Sequence, residues 1–205
     1  MTIAQAVDLL EQVVSGNVSD AMERLRLPRR VLTGFTVLGQ ARRPVVGPAF
    51  TVEQGWKESH VERSERLVRH GEVTRGLARA GDVIVIATGG ITEVATWGEN
   101  HSMRCRRSGV RGLVTDGATR DAELVGKADF PVHCRGISPI KSQWDLKTIS
   151  LNAPVTIANV AIAPGDIMFA DESGILVMAP EVALDVAILA RDIRNMELKY
   201  QEALP

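Results

Sequence analysis

Two segments carry residues able to do chemistry together: WGENHSMRC at 97–105 and DGATRDAE at 116–123. Arg120 can grip a carboxylate with two parallel hydrogen bonds. Asp121 can bind a hard cation, because one or two carboxylates, with waters and substrate oxygens, are the usual protein share of a Mg2+ site. Gly98, Glu99, Asn100 and His101 stand where a helix is expected to begin. The backbone N–H groups of a first helical turn lack intrahelical partners and seat an anion such as a carboxylate. Glu99 and Asp116 add acidic charge at the same edge. Acid, anion-binding amides, arginine and aspartate together suit chemistry on a small organic acid. Each piece alone has a plainer reading: Arg120-Asp121 as a solvated surface pair, and Asp116-Gly117 as a turn.

These residues converge only if strands deliver them to one edge. Residues 83–87, VIVIA after Gly81-Asp82, form a continuous apolar run that suits a strand covered on both faces. Residues 97–108 predict a helix with Gly109 as its C-terminal glycine. Residues 112–115 predict the next strand, with Asp116-Gly117 as the turn that follows. Strand, crossover helix and strand make a parallel βαβ unit. In open parallel sheets, ligands bind beyond the carboxyl ends of the strands.

Upstream, Ile3, Val7, Leu10 and Val14 recur at helical spacing, so 2–15 predicts an amphipathic helix stopped by Ser15-Gly16-Asn17. Ser19 or Asp20 then caps a second short helix that ends before Pro28. Residues 1–40 read as a helical extension and 41–205 as the core of a single domain spanning 1–205. Residues 45–52 predict a strand and 60–79 an exposed helix. Downstream come a short helix near 120–127 and strands at 132–135, 155–158, 161–163, 165–170 and 174–178. Turns fall at Gly165-Asp166 and 171–174. A closing helix covers 180–200, with Pro180 at its first position. The class is α/β.

Composition narrows the functions. Hydrophobic residues are 45% and charged residues 24% of 205, which excludes a disordered chain. Lys and Arg number 24 against 25 Asp and Glu, for a net charge of -1, so no basic footprint for nucleic acid is present. Aromatics are 4%, which argues against a base-stacking platform. Cys105 and Cys134 are too few for a disulfide scaffold and lack a zinc spacing. No apolar run approaches the ~20 residues that cross a bilayer. The first residues, MTIAQAVDLLEQ, do not read as a secretory signal. The expectation is a cytoplasmic protein with no nucleic-acid partner and no membrane association.

GDVIVIATGG followed by WGEN, the twenty residues between Glu99 and Arg120-Asp121, and DGATRD resemble the RraA-like family. VVGPAFTV at 45–52, FPVHCRGISP at 130–139 and PGDIMFADESGILV at 164–177 extend the likeness over roughly 18–195. The resemblance implies a layered β/β/α swivelling-type domain with an N-terminal helical arm and a C-terminal helix. It also implies a homotrimer, or a hexamer of two trimers, in which a neighbouring subunit can complete the site. Longer family members include the class II 4-hydroxy-4-methyl-2-oxoglutarate/4-carboxy-4-hydroxy-2-oxoadipate aldolases. These are metal-dependent lyases that release pyruvate through a metal-stabilised enolate and also decarboxylate oxaloacetate.

By that resemblance, Asp121 ligates Mg2+ or Mn2+ directly and Glu99 holds metal-bound water. Arg120 binds the 2-oxo acid end of the substrate and stabilises the enolate. The amides of Gly98, Glu99, Asn100 and His101 bind the pyruvyl carboxylate. The family also contains shorter regulators that inhibit the endonuclease RNase E. They keep Arg-Asp but carry glycine at the acidic position. Glu99 and the N-terminal extension resemble the aldolases instead. Asn100-His101-Ser102 replaces the apolar pair usual after the acid, which makes the pocket more polar and admits a different 2-oxo acid.

Other candidates have weaker signals. His101 reads as a proton donor or substrate contact, or as a helix-surface residue. His60, His70 and His133 show no partners in sequence and read as structural or exposed. Cys105 reads as a buried thiol. Of the lysines, only Lys57 follows a predicted strand closely, which disfavours a Schiff-base route. Arg104, Arg106, Arg107 and Arg111 read as a solvated helix face, or as an interface or a site for an acidic partner. Residues 54–60 are a specificity loop or an ordinary surface connection.

Overall fold

The apolar run Val83–Ala87 is a strand whose alternate side chains enter two different cores. Val83, Val85 and Ala87 face one, and Ile84 and Ile86 face the other. That two-sided burial, with every residue of the run buried, is the consequence of its lack of polar alternation.

The computed structural model describes residues 2–39, 43–62 and 64–203. The strands are β1 (Val31–Leu32), β2 (Thr36–Leu38), β3 (Val45–Trp56), β4 (Val83–Ala87), β5 (Ala95–Trp97), β6 (Gly112–Thr119), β7 (Val132–Ile137), β8 (Leu146–Leu151), β9 (Val155–Ile157), β10 (Val160–Ile162), β11 (Ile167–Ala170) and β12 (Ile175–Met178). The helices are α1 (Ile3–Leu10), α2 (Ser15–Arg24), α3 (His70–Glu72), α4 (Glu99–Ser108), α5 (Ala122–Lys127) and α6 (Ala183–Glu202). The main sheet runs β1-β12-β11-β3-β4-β6-β7-β2, with β5 added on β6 and β8 on β3. The β3-β4-β6-β7 centre is parallel, and antiparallel pairs flank it on both sides. The sheet curls, so the fold is the expected layered α/β arrangement with helices near both ends of the chain.

Period-two alternation sorts the layers. Val46, Ile167, Phe169, Leu176 and Met178 face α1, α2 and α6, while Met168, Ala170, Ile175 and Val177 point into the curl with β9 and β10. Leu113, Val132 and Cys134 join Ile84 and Ile86 under α4 and α5.

Several boundaries differ from expectation. Ser15-Gly16-Asn17 starts α2 rather than stopping α1, because the Ser15 N–H donates to Asp171 Oδ2 at 2.8 Å and buried Asn17 donates to Glu197 Oε2 at 2.9 Å. The helical arm ends at Arg24, and 31–38 supplies two edge strands to the sheet. The last residue of the expected 1–40 extension, Gln40, lies outside the described residues. Residues 60–79 are not a long helix. The described residues up to Arg69 are irregular, and α3 runs into one wide turn broken at Gly76, whose φ is 145°. Glycines at 71 and 76 remove the helix propensity that the pattern needed. The strand predicted at 45–52 continues to Trp56, because β8 pairs with its far half. Residues 54–56 are therefore strand, not loop.

Candidate active site

The parallel unit was expected to turn at Asp116-Gly117, but β6 continues to Thr119, with a register shift against β7 between Thr115 and Ala118. Asp116 is buried, and its carboxylate accepts from the Thr88 N–H at 2.6 Å, the Thr88 hydroxyl at 3.0 Å and the Gly90 N–H at 3.0 Å. It fixes the loop after β4 and is spent on structure. The continuation of β6 has a purpose downstream. Its last residues pair with β5, Ala95 opposite Ala118 and Trp97 opposite Thr119, and the Arg120 N–H donates to the Trp97 carbonyl at 3.0 Å. Trp97-Gly98 and Arg120-Asp121 are thereby held side by side.

Gly98 is the point of closest approach. A Cβ there would sit 2.8 Å from Asp121 Oδ2 and 2.9 Å from Arg120 Cγ. Its backbone is extended, so the glycine is needed for space rather than for conformation. Arg120 Nε lies 3.2 Å from Asp121 Oδ2, with both side chains roughly one-third exposed. This contact uses Nε and directs the guanidinium against its neighbour. Asp121 adopts φ 57° and ψ 38°, the left-handed region, at the start of α5. Asp and Asn are the non-glycine residues that best tolerate this region, and non-glycine residues held there concentrate at functional sites.

Helix α4 begins at Glu99. The His101 and Ser102 N–H groups turn back to the Gly98 carbonyl at 3.1 and 3.3 Å, so the amides of Glu99 and Asn100 precede the intrahelical ladder. The Trp97 indole N–H anchors the first turn by donating to Ser102 Oγ at 2.9 Å. At the other end, Gly109 takes φ 78° as the predicted C-terminal glycine.

A cavity of about 170 Å3 opens here. Gly98, Asn100, His101, Arg120 and Asp121 line it, together with His70 and Lys141. Glu99, half-buried at the first helical position, is adjacent but is not among the lining residues. Sequence reasoning passed over His70 and Lys141. His70 sits in a charged stretch that reads as a surface helix, and only the fold returns that stretch to the cavity. Lys141 follows no predicted strand.

His70 and His101 meet edge-on with ring centroids 4.7 Å apart, and His101 tilts over Trp97 at 5.1 Å. Burial, then the neighbouring His101, pushes His70 down to about 3. Burial, followed by Arg104, Arg75 and Arg120, pushes His101 down to about 4. Both rings are neutral at physiological pH. Burial pushes the Cys105 thiol up to about 12, which removes it as a nucleophile at neutral pH.

Among the described residues, no group of three or more His, Cys, Asp or Glu side chains is placed to cage a metal ion. That excludes a zinc-type cage of protein ligands in the described chain. A hard cation needs only one or two protein carboxylates, with water and substrate supplying the rest. Asp121, facing the cavity across the glycine at 98, is the donor that fits.

The family described as "RraA-like: Aldolase/RraA" matches residues 15–177. The chain belongs to that family. Among its relatives, a putative 4-hydroxy-4-methyl-2-oxoglutarate aldolase of Arabidopsis thaliana is 31% identical over 150 residues, covering 73% of this chain and 83% of that one. Protein DlpA of Legionella pneumophila is 27% identical over 202 residues, 96% of this chain, although the chain spans only 32% of that protein's length. The RraA-like fold is seen in Streptomyces coelicolor RraAS2, described as an unusual member of the RNase ES inhibitor RraA protein family. It superposes with a TM-score of 0.81 at 27% identity and covers 97% of this chain and 96% of that one. No helix among the described residues is long and apolar enough to cross a membrane.

Proposed function

We propose that this RraA-like protein is a divalent-metal-dependent pyruvate aldolase. It would cleave a 4-hydroxy-2-oxo diacid such as 4-hydroxy-4-methyl-2-oxoglutarate and decarboxylate oxaloacetate as a side activity. The observation that carries this reading is the packing of Arg120 and Asp121 against Gly98 at the mouth of a helix, on the wall of a cavity sized for a small acid. The aldolase name of the Arabidopsis relative supports it.

Asp121 would hold Mg2+ or Mn2+ directly, with Glu99 acting through water. The metal would supply Lewis acidity toward the oxygens of the 2-oxo acid. The amides at the start of α4, at 98–101, would bind the pyruvyl carboxylate, where the helix favours negative charge. Arg120 would grip the 2-oxo acid end. Its guanidinium would stabilise the negative charge that builds on the keto oxygen as the carbon–carbon bond breaks. Asn100 and His101 would line the rest of the substrate site and make it polar.

Family membership further suggests a homo-oligomer, which we propose is a trimer or a hexamer. Ile137 and Ile140, 58% and 55% exposed close to the cavity residue Lys141, are apolar surface available for such an interface.

Pyruvate release from 4-hydroxy-4-methyl-2-oxoglutarate and from oxaloacetate, with Mg2+ and then with excess EDTA, tests the proposal. Turnover abolished by the chelator supports it. Absence of turnover with Mg2+ or Mn2+ added to folded protein overturns it. A second reading, a regulator that binds an RNA-degrading endonuclease, is favoured by the close superposition on RraAS2. Capture of RNase E by the purified chain would support that reading.

A further inference from the structure

The cavity has a wall made by two imidazoles, and each is tied at Nδ1 by buried polar groups. Thr96 Oγ1 donates to Gln54 Oε1, which presents the Gln54 NH2 group to His70 Nδ1 at 2.9 Å. An amide nitrogen only donates, so His70 Nδ1 accepts and the ring proton sits on Nε2. On the second ring, Thr74 Oγ1 lies 3.2 Å from both the Gly71 carbonyl and His101 Nδ1. A carbonyl only accepts, so the single hydroxyl hydrogen goes to Gly71. His101 Nδ1–H then donates to the threonine oxygen, and His101 Nε2 keeps its lone pair. The neighbouring rings are complementary tautomers, one with a donor and one with an acceptor at Nε2.

The supporting chain is costly to build. Gln54, Thr96 and Thr74 are 2%, 1% and 5% exposed, and buried polar groups destabilise a fold unless they are fully paired. These hydrogen bonds reach backbone at the Gly71 carbonyl and open on the cavity at the two imidazoles. A group facing the two rings must accept one hydrogen bond and donate another. A hydroxyl does both. A carboxylate, which only accepts, would meet the His101 lone pair, and a methyl group would leave both nitrogens unpaired.

We propose that the His70–His101 pair is a specificity element that recognises the hydroxyl group of a hydroxylated 2-oxo acid. Gln54, Thr96 and Thr74 are positioning residues that set the two tautomers. This inference rests on the pyruvate-aldolase reading and names the part of the substrate read by the two imidazoles. A site built to pair a hydroxyl discriminates strongly against analogues that lack one, because its buried polar groups are then left unsatisfied.

The test compares 4-hydroxy-4-methyl-2-oxoglutarate, which has the hydroxyl, with oxaloacetate, whose decarboxylation needs none. His70→Phe keeps a ring and removes the donor. It should lower the ratio of kcat/KM for the hydroxylated substrate to that for oxaloacetate by about tenfold or more, the size of one lost buried hydrogen bond. Thr74→Val, which frees His101 Nδ1, should move the ratio the same way. An unchanged ratio in both variants overturns the proposal, whatever the absolute losses. Wild-type protein that turns over neither substrate overturns the aldolase reading instead. Imidazole 15N shifts of the wild-type protein then decide the pair by themselves. A proton on Nε2 of His70 and on Nδ1 of His101 supports it, and the reverse tautomers overturn it.

Discussion

Gly98 and Asp121, 23 positions apart in sequence, approach so closely that a methyl group on the glycine would lie 2.8 Å from the Asp121 carboxylate. The contact follows from β5 pairing in parallel with the end of β6, which sets the start of α4 beside the residues that leave β6. One added carbon therefore tests the site without removing any functional group. Gly98→Ala should leave the melting temperature within a few degrees of wild type, because the atoms that must give way belong to the Asp121 and Arg120 side chains and not to backbone. It should also lower pyruvate release by about a hundredfold, since misplacement of reacting groups by an ångström costs that much. A thermal melt and a steady-state assay on the same sample separate the two effects.

Asp121 needs a variant that respects its backbone. Its φ of 57° is tolerated by Asp and Asn and costs an alanine roughly 1–2 kcal/mol. Asp121→Asn keeps the conformation and removes the charge that would hold the cation. Mn2+ binding measured by electron paramagnetic resonance should fall below detection and metal-dependent activity with it, while the fold is retained. Tight Mn2+ binding in the variant would show that the ligand lies elsewhere.

Arg120→Lys should lose about a hundredfold to a thousandfold in kcat/KM, because an ammonium is a point charge and cannot present paired donors to a planar acid. The loss should appear with oxaloacetate as well as with the hydroxylated substrate. That separates Arg120 from the His70–His101 wall, whose variants discriminate between the two.

The sequence made part of this architecture legible, and the reasons are local. Residues 83–87 are apolar throughout, Gly109 carries the φ that ends α4, and the spacing from Glu99 to Arg120 spans one helix and one strand. Those features are set by neighbours in the chain. The start of α2 was not legible, because it depends on Asp171 and Glu197, residues more than 150 positions away. Strands β1, β2 and β5 are two or three residues long and exist only through their partners. His70 was hidden for the same reason. Its environment is made by Gln54 of β3 and His101 of α4, and no spacing within 60–79 records those contacts. Asp116 shows the opposite error: its place near the carboxyl ends of the strands was legible, but its three hydrogen bonds to Thr88 and Gly90 were not.

That assignment makes Asp116→Ala a stability variant. Two backbone N–H groups and one hydroxyl would lose their acceptor in a buried setting, at about 1–3 kcal/mol for each group left unpaired. The melting temperature should fall by several degrees or more. Activity measured well below the new melting temperature should fall less than in Asp121→Asn.

Buried His70 ties stability to pH with a definite sign. The folded state holds its imidazole near 3, against 6.5 for the free group, so the unfolded chain takes up the proton first as pH falls. Proton uptake by the unfolded state alone lowers the free energy of unfolding. The contribution of neutral His70 is complete above pH 6.5 and is lost progressively between 6.5 and about 3. His101, held near 4, adds to the loss over most of the same window, and His133, also lowered by burial, acts in the same direction. Urea denaturation at pH 7, 6 and 5 should therefore show falling stability in wild type. The slope should be shallower in His70→Gln, which has no proton to gain. Parallel slopes in the two proteins would mean that His70 takes up its proton in the folded state as readily as in the unfolded chain, and its role as a neutral donor would be lost with it.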